Sequence, residues 1–155
     1  MLERSTSSAG RFIEMRFNSD PANLATVRRA IEAFCGNCGF DENARGQVII
    51  SVNEALTNVM RHAYQGATDQ PIVLRVEMCD QTLSISIRDW GSGVNPAERP
   101  ERQRDPLKPG GLGMLCLRQY MDDVIFEPQG DGMLLTMRRK KPLEESGAGS
   151  DRAVG

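Results

Sequence analysis

The 155-residue sequence is poor in aromatic residues and in histidine, and it has no long apolar run. Aromatic side chains make up 5% of the chain, and His62 is its only histidine. No stretch approaches the roughly 20 apolar residues that a membrane-spanning helix needs. The Ser-rich start, Met1–Gly10, lacks the apolar centre of a signal peptide. These absences argue against a membrane or secreted protein, and we expect the chain in the cytoplasm.

The sequence also lacks an excess of basic residues. It carries 19 Lys and Arg against 21 Asp and Glu, a net charge of −2. A protein that binds nucleic acid through phosphate contacts normally has a clear basic excess, so direct nucleic-acid binding is disfavoured. Hydrophobic residues account for 39% of the chain, which is enough for the core of one domain of this length.

The sequence has four cysteines, and their spacing does not form a complete metal-binding pattern. Cys35 and Cys38 have the spacing of a zinc or redox pair, but Cys79 and Cys116 stand apart and provide no second close pair. A structural zinc site needs four ligands. We therefore expect reduced thiols without chemistry and no cysteine metal site.

Apolar periodicity predicts an α+β fold in which strands and helices alternate in groups. Adjacent strands with short links imply a mixed, mostly antiparallel sheet with helices on one face, as a two-layer sandwich. The folded domain is predicted over residues 11–142, between disordered tails at 1–10 and 143–155. Residues Gly91–Pro109, rich in Pro, Gly and charge, are predicted to form a lid or binding loop. The predicted strands are Ile13–Phe17, Ile72–Met78, Thr82–Asp89, Val124–Phe126 and Met133–Met137; the predicted helices are Leu24–Phe34, capped by Asp20-Pro21, then Asp41–Tyr64 and one from about Gly111.

A first cluster of candidate residues lies on the second predicted helix. At 3.6 residues per turn, Val48, Val52, Ala55 and Val59 form its core stripe, and a polar stripe runs along another face, with His62 at its edge. A carboxylate one turn from an amide, as in Glu54 and Asn58, could hold a divalent cation or its water while the carboxylate accepts a proton. A solvated helix face is the alternative. The stripe consists of Gln47, Ser51, Glu54, Asn58 and Arg61.

Two further clusters are rich in glycine. Asp89 is the next residue in the alternation Leu83, Ile85 and Ile87, so its side chain should point to the core. Burying an unpaired carboxylate costs free energy, so Asp89 needs a strong hydrogen-bond donor. Gly91 and Gly93 directly after it would let the backbone pass close to a flat ligand. Gly110-Gly111-Leu112-Gly113 opens a predicted helix, where exposed N–H groups favour an anion such as phosphate. The alternatives are an ordinary turn and the end of a flexible lid.

Together, the three clusters resemble the N, G1 and G2 boxes of the Bergerat (GHKL) ATP-binding superfamily, which contains gyrase B, sensor histidine kinases and anti-sigma serine kinases. The closest likeness is to the small anti-sigma factor kinases of sporulation and stress responses. Their N box, E-A-x-x-N-x-x-x-H-A/G-Y, is matched from Glu54 to Tyr64, and further likeness runs from Gly110 to Val124. The resemblance covers about Phe12 to Arg139.

The resemblance implies a role for each matched residue. Glu54 would be the general base for a substrate serine, and Asn58 the ligand of Mg²⁺. Asp89 would receive the adenine amino group. The remaining nucleotide contacts implied by the resemblance are Arg61 and His62 near the phosphates, Gly91 and Gly93 beside the base, and Gly110, Gly111, Leu112 and Gly113 at the lid hinge.

One position departs from the sporulation-type kinases, which place an arginine just before the glycines of the G2 box. Pro109 occupies that position here, preceded by Lys108, which could supply charge but no bidentate fork. The resemblance implies an ATP- and Mg²⁺-dependent serine/threonine kinase that phosphorylates an anti-anti-sigma partner, sequesters a sigma factor and forms a homodimer. The alternative is an anti-sigma or adaptor module that binds ATP with little kinase activity. A histidine kinase fragment and a gyrase-like ATPase are disfavoured, because no phosphoacceptor helix pair and no transducer domain accompany the boxes.

Overall fold

A computed structural model of the chain describes residues 2–7, 10–92 and 113–142, and a six-stranded sheet lies at its centre. The strand order is β1-β2-β3-β4-β6-β5, and each neighbouring pair runs antiparallel. β4 and β6 are neighbours although α3 and β5 lie between them in sequence. The strands are β1 (Leu2–Ser7), β2 (Gly10–Asn18), β3 (Pro71–Cys79), β4 (Thr82–Asp89), β5 (Asp123–Pro128) and β6 (Met133–Lys140).

Three helices cover one face of this sheet. They are α1 (Leu24–Asn37), α2 (Glu42–Asn58) and α3 (Gly113–Tyr120), and α2 contacts both of the others. Alternation along β4 explains the layering, because Leu83, Ile85 and Ile87 are buried with the helices while the residues between them lie on the opposite face. The predicted α+β two-layer sandwich is confirmed.

Local sequence signals place the helix starts. The Asp41 carboxylate accepts a hydrogen bond of 2.8 Å from the Ala44 N–H and caps α2. Asp20 accepts one of 2.9 Å from Ala22, but it caps a short 3₁₀ turn, Pro21–Asn23, that precedes α1. The core stripe predicted for the second helix is buried: Val48, Val52 and Ala55 on α2, and Val59 directly after it. Among the described residues, no helix is long and apolar enough to cross a membrane.

Two boundaries differ from the sequence-based expectations. The segment predicted as a disordered tail, residues 1–10, contains β1, whose register on β2 runs from Leu2 opposite Met15 to Ser7 opposite Gly10. Backbone hydrogen bonds make this pairing, so it needs no apolar alternation in β1 itself. The second helix, predicted to reach Tyr64, ends at Asn58 and continues as a π turn, Val59–Ala63, in which the Tyr64 N–H donates to the Val59 carbonyl at 2.9 Å.

The face opposite the helices is polar. Glu14 on β2 lies 3.6 Å from Arg75 on the neighbouring strand, and Arg75 lies at the same distance from Glu77. The Arg75 guanidinium also stacks on the Phe12 ring, 3.8 Å from its centroid. This charged covering explains how the sheet keeps one face towards water.

Candidate active site

The carboxylate of Asp89 lies where β4 ends, in phase with the buried residues of that strand. Its residue is 4% exposed, and its Oδ1 accepts a 2.9 Å hydrogen bond from the Gly91 N–H. Burial raises the pKa of Asp89, against the opposing effects of the Gly91 N–H, the Arg88 guanidinium and the Met133 N–H. The prediction that this side chain points to the core side is confirmed.

Asp89 lines a cleft between α2, the π turn, α3 and the β5–β6 hairpin. Three polar side chains reach this cleft, from Asn58, His62 and Asp89, and the remaining lining is apolar or glycine. Such a lining suits a flat, largely apolar ligand with a few polar edges. The other lining residues are Ala55, Val59, Ala63, Leu117, Phe126, Gly132, Met133 and Leu135.

Asn58 of the predicted polar stripe and His62 at its edge both line the cleft. Asn58 is the last residue of α2, and His62 lies inside the turn that follows. Residues four apart lie on the same side of a helix, so both can face one cleft. Both side chains are partly buried and line the cleft.

The other members of the polar stripe do not line the cleft. Glu54 is partly buried one turn before Asn58, and Arg61 is exposed. Ser51 is fully buried, and its hydroxyl donates to the Gln47 carbonyl at 2.9 Å. The Gln47 side chain accepts a 2.7 Å hydrogen bond from Arg139 on β6. The first half of the stripe therefore attaches α2 to the rest of the fold.

Two glycines permit the backbone contacts that shape the cleft. A Cβ at Gly91 would collide with the Ala63 carbonyl at the end of the π turn. Gly132 has φ +85, and a Cβ there would collide with the backbone of Asp89 and Trp90. Gly91 was predicted to lie near the ligand. No sequence pattern predicts that Gly132 meets Asp89, although the run Gly130-Asp131-Gly132 is typical of a hairpin turn.

Arg88 joins the hairpin to the end of β4. Its guanidinium donates to the carbonyl of Asp89 and, at 2.6 Å, to the carbonyl of Asp131. It also stacks on Trp90, 4.5 Å from the ring centroid. Sequence reasoning missed this role because Asp131 lies 43 positions away, and no local pattern signals the contact.

Several predicted nucleotide contacts lie outside the described residues. The predicted lid, Gly91–Pro109, is described only as far as residue 92, and Gly113 is described as the first residue of α3. The described residues also contain no group of three His, Cys, Asp or Glu side chains that could hold a metal. The predicted residues outside the description are Gly93, Lys108, Gly110, Gly111 and Leu112.

Comparison with known proteins identifies similar sequences along most of the chain. Residues 17–139 match the family described as histidine kinase-like ATPase domain. An anti-sigma F factor of Clostridium botulinum is 28% identical over 133 residues, which cover 83% of this chain and 93% of that protein. A serine-protein kinase RsbW of Listeria innocua is 24% identical over 144 residues, 86% of this chain and 92% of that protein.

Solved structures support the same fold at lower sequence identity. The RsbU and RsbW domains of a Mycobacterium tuberculosis protein superpose with a TM-score of 0.62 and 16% identity, over 83% of this chain and 32% of that one. A blue-light activated histidine kinase domain from Erythrobacter litoralis gives 0.51 and 17%, over 77% of this chain and 59% of that one. This chain therefore corresponds to only part of each solved chain.

Proposed function

Because the chain belongs to the family of histidine kinase-like ATPase domains, we propose that it is an ATP-dependent serine/threonine protein kinase and an anti-sigma factor. The observation that carries the proposal is the buried Asp89 carboxylate, which shares one cleft with Asn58 and His62. The names of the similar proteins, anti-sigma F factor and serine-protein kinase, agree with it.

The lining of the cleft suits a nucleotide whose adenine end would lie against Asp89. The carboxylate oxygens would accept the exocyclic amine, while Val59, Leu117 and Phe126 would contact the faces and edge of the ring. Gly132 keeps the hairpin close to Asp89, so the cleft stays narrow. Guanine would bind poorly there, because its carbonyl would face the carboxylate.

We place the phosphates and a magnesium ion at Asn58 and His62. Mg²⁺ is usually held by one or two protein oxygens together with phosphate oxygens and water, and the amide of Asn58, which lines the cleft, offers such an oxygen. When bound, Mg²⁺ would neutralise charge on the phosphates during transfer. His62 would lie near the phosphates, with Arg61 at their outer edge and Lys108 and the Gly110–Gly113 segment closing over them.

Glu54 is the proposed general base. It lies one helical turn before Asn58 and outside the cleft lining, so it would meet a hydroxyl that a docked protein brings from outside. In the transfer step, the serine oxygen would form a bond to the γ-phosphorus while the bond to the β,γ-bridging oxygen breaks, and Glu54 would take the serine proton.

We propose two protein partners for this activity. The phosphate acceptor would be a serine of a small anti-anti-sigma domain, as the family resemblance implies. The sequestered partner would be a sigma factor, as the name of the similar anti-sigma F factor suggests. The chain would act as a homodimer in the cytoplasm.

Replacing Glu54 tests the proposal. Glu54→Ala should retain ATP binding while phosphoserine formation on the partner falls by about 10²–10⁴-fold, the range for loss of a general base. The measurement is transfer from labelled ATP at saturating nucleotide, beside a binding titration on the same protein. Glu42→Ala, in the exposed first turn of the same helix, is the matched control and should transfer at the normal rate.

The second candidate function is an ATP-binding anti-sigma or adaptor module with little kinase activity. Pro109 and Lys108 favour it, because they replace an arginine that could clamp the terminal phosphate. Wild-type protein that binds ATP and the sigma factor but never phosphorylates the cognate anti-anti-sigma domain would establish this function. Transfer that survives Glu54→Ala unchanged would instead disprove the assignment of the base.

A further inference from the structure

Tyr64 connects the end of the π turn to the loop that carries Asp89. Its side chain is buried, with the residue 7% exposed. The hydroxyl accepts a 2.8 Å hydrogen bond from the Trp90 N–H and donates one of 2.5 Å to the Pro71 carbonyl. Burial, more than any other effect, raises the pKa of Tyr64, so the hydroxyl keeps its proton and stays a donor at neutral pH.

The strand register shows what this hydroxyl replaces. β3 and β4 pair from Cys79 opposite Thr82 to Val73 opposite Arg88. Continued by two residues, the same register would place Pro71 opposite Trp90. The Tyr64 hydroxyl bonds to the backbone of both residues at that point, in place of a direct bond between the strands. The side chain thus ends the ladder and gives both backbone groups a partner within the fold.

The residue next to this junction is Asp89. The next residue, Trp90, donates its N–H to the Tyr64 hydroxyl. The residue after that, Gly91, lies against the Ala63 carbonyl. The Gly91 N–H donates to the Asp89 carboxylate. The loop that orients the carboxylate is therefore bonded to Tyr64 and packs against Ala63, the last residue of the π turn.

We propose that Tyr64 is a positioning residue for base recognition: its hydroxyl sets the place of the Trp90 backbone and hence the direction in which Asp89 meets the purine. The proposal rests on the proposed function, since it assumes that Asp89 receives adenine. The π turn lies between Asn58 and Tyr64 in sequence, so one short segment joins the proposed magnesium ligand to the residue that positions Asp89.

Tyr64→Phe tests the proposal because it removes the hydroxyl and keeps the ring. We expect ATP affinity to fall about tenfold, the effect of losing a buried hydrogen bond near the ligand, while GTP affinity changes little. The preference for ATP over GTP should therefore narrow by about tenfold. Tyr120→Phe, at the other tyrosine, whose side chain does not line the cleft, should leave both affinities unchanged. Calorimetric titration measures both nucleotides, and chemical denaturation reports folding.

A second measurement needs no variant. In the wild-type protein, the Trp90 amide lies beyond the last paired residue of β4, so only the bond to Tyr64 would protect it from hydrogen exchange. Slow exchange supports the proposal. Rapid exchange overturns it, and so does a Tyr64→Phe variant that weakens ATP and GTP by the same factor or changes neither.

Failure of the proposed function would look different. Wild-type protein that binds no ATP would overturn the nucleotide site and this inference together. Wild-type protein that binds ATP selectively but transfers no phosphate would overturn only the kinase assignment, because the test of Tyr64 uses binding and exchange rather than transfer.

Discussion

Replacing Asp89 with asparagine separates base recognition from folding. The variant keeps the size of the side chain, and its amide oxygen can still accept the Gly91 N–H that Asp89 Oδ1 accepts at 2.9 Å. The substitution replaces the other carboxylate oxygen by an NH₂ group and removes the negative charge. In a residue that is 4% exposed, a carboxylate that accepts from the adenine amine would be replaced by a group that can present an N–H to it.

The expected cost to ATP binding is that of a buried hydrogen bond to a charged group, about 1.5–3 kcal/mol, or about tenfold to a hundredfold in Kd. The effect on stability should have the opposite sign. Because burial raises the pKa of Asp89, the folded state holds this proton more tightly than the unfolded state. The free energy of unfolding therefore falls as pH rises from the usual aspartate pKa through the raised one. Asparagine does not titrate, so Asp89→Asn should be at least as stable as wild type at neutral pH, and it should lack this fall.

The assay pairs ATP and GTP titrations with denaturant unfolding at several pH values across that window. Asp69→Asn, at an exposed aspartate before β3, is the control for loss of a carboxylate and should change neither measurement. Unchanged ATP and GTP affinities in Asp89→Asn would refute the role of Asp89 in base recognition. A variant that loses stability at neutral pH would show that the ionised carboxylate supports the fold instead.

Two further predictions concern the hairpin and the thiols. Gly132→Ala should destabilise the protein by more than about 1 kcal/mol and weaken ATP binding, because φ is +85 and the new Cβ would collide with the Asp89 backbone. Gly130→Ala, where the added atom meets open space, is the control in the same turn, and equal unfolding midpoints would contradict the collision. Burial raises the pKa of Cys35 to about 12, so at pH 8 maleimide should label the exposed Cys79 long before it, as peptide mass spectrometry can follow. Equal labelling rates in the folded protein would show that Cys35 is accessible.

Much of the fold could be predicted because its signals are local. Alternation in β4 placed Asp89 in phase with Leu83, Ile85 and Ile87, and this period alone indicates a buried carboxylate. The 3.6-residue period likewise predicted which apolar residues of the second helix are buried. β1 escaped prediction because its pairing depends on the backbone of β2 rather than on an apolar pattern of its own.

The site was predictable only where spacing within one segment determined it. Asn58 and His62 could be placed together from their separation on one helix, and the structure does bring both to the cleft. The π turn between them was missed, because choosing the Val59 carbonyl as the acceptor for the Tyr64 N–H depends on tertiary contacts. Gly132 was missed for the same reason, since the group it must avoid is the carbonyl of Asp89 on another strand.

Because β4 and β6 are neighbours in the sheet, the chain segment between them can change in length at little cost in stability. The chain leaves β4 after Asp89 and returns beside it at Met133, with which Asp89 pairs, and Arg88 binds the Asp131 carbonyl at the same point. The entropy of closing a loop grows only with the logarithm of its length, about 0.6 kcal/mol for each doubling. Lengthening this excursion by a few residues should therefore cost little once its two ends are fastened, so relatives could differ in this segment while keeping the same sheet.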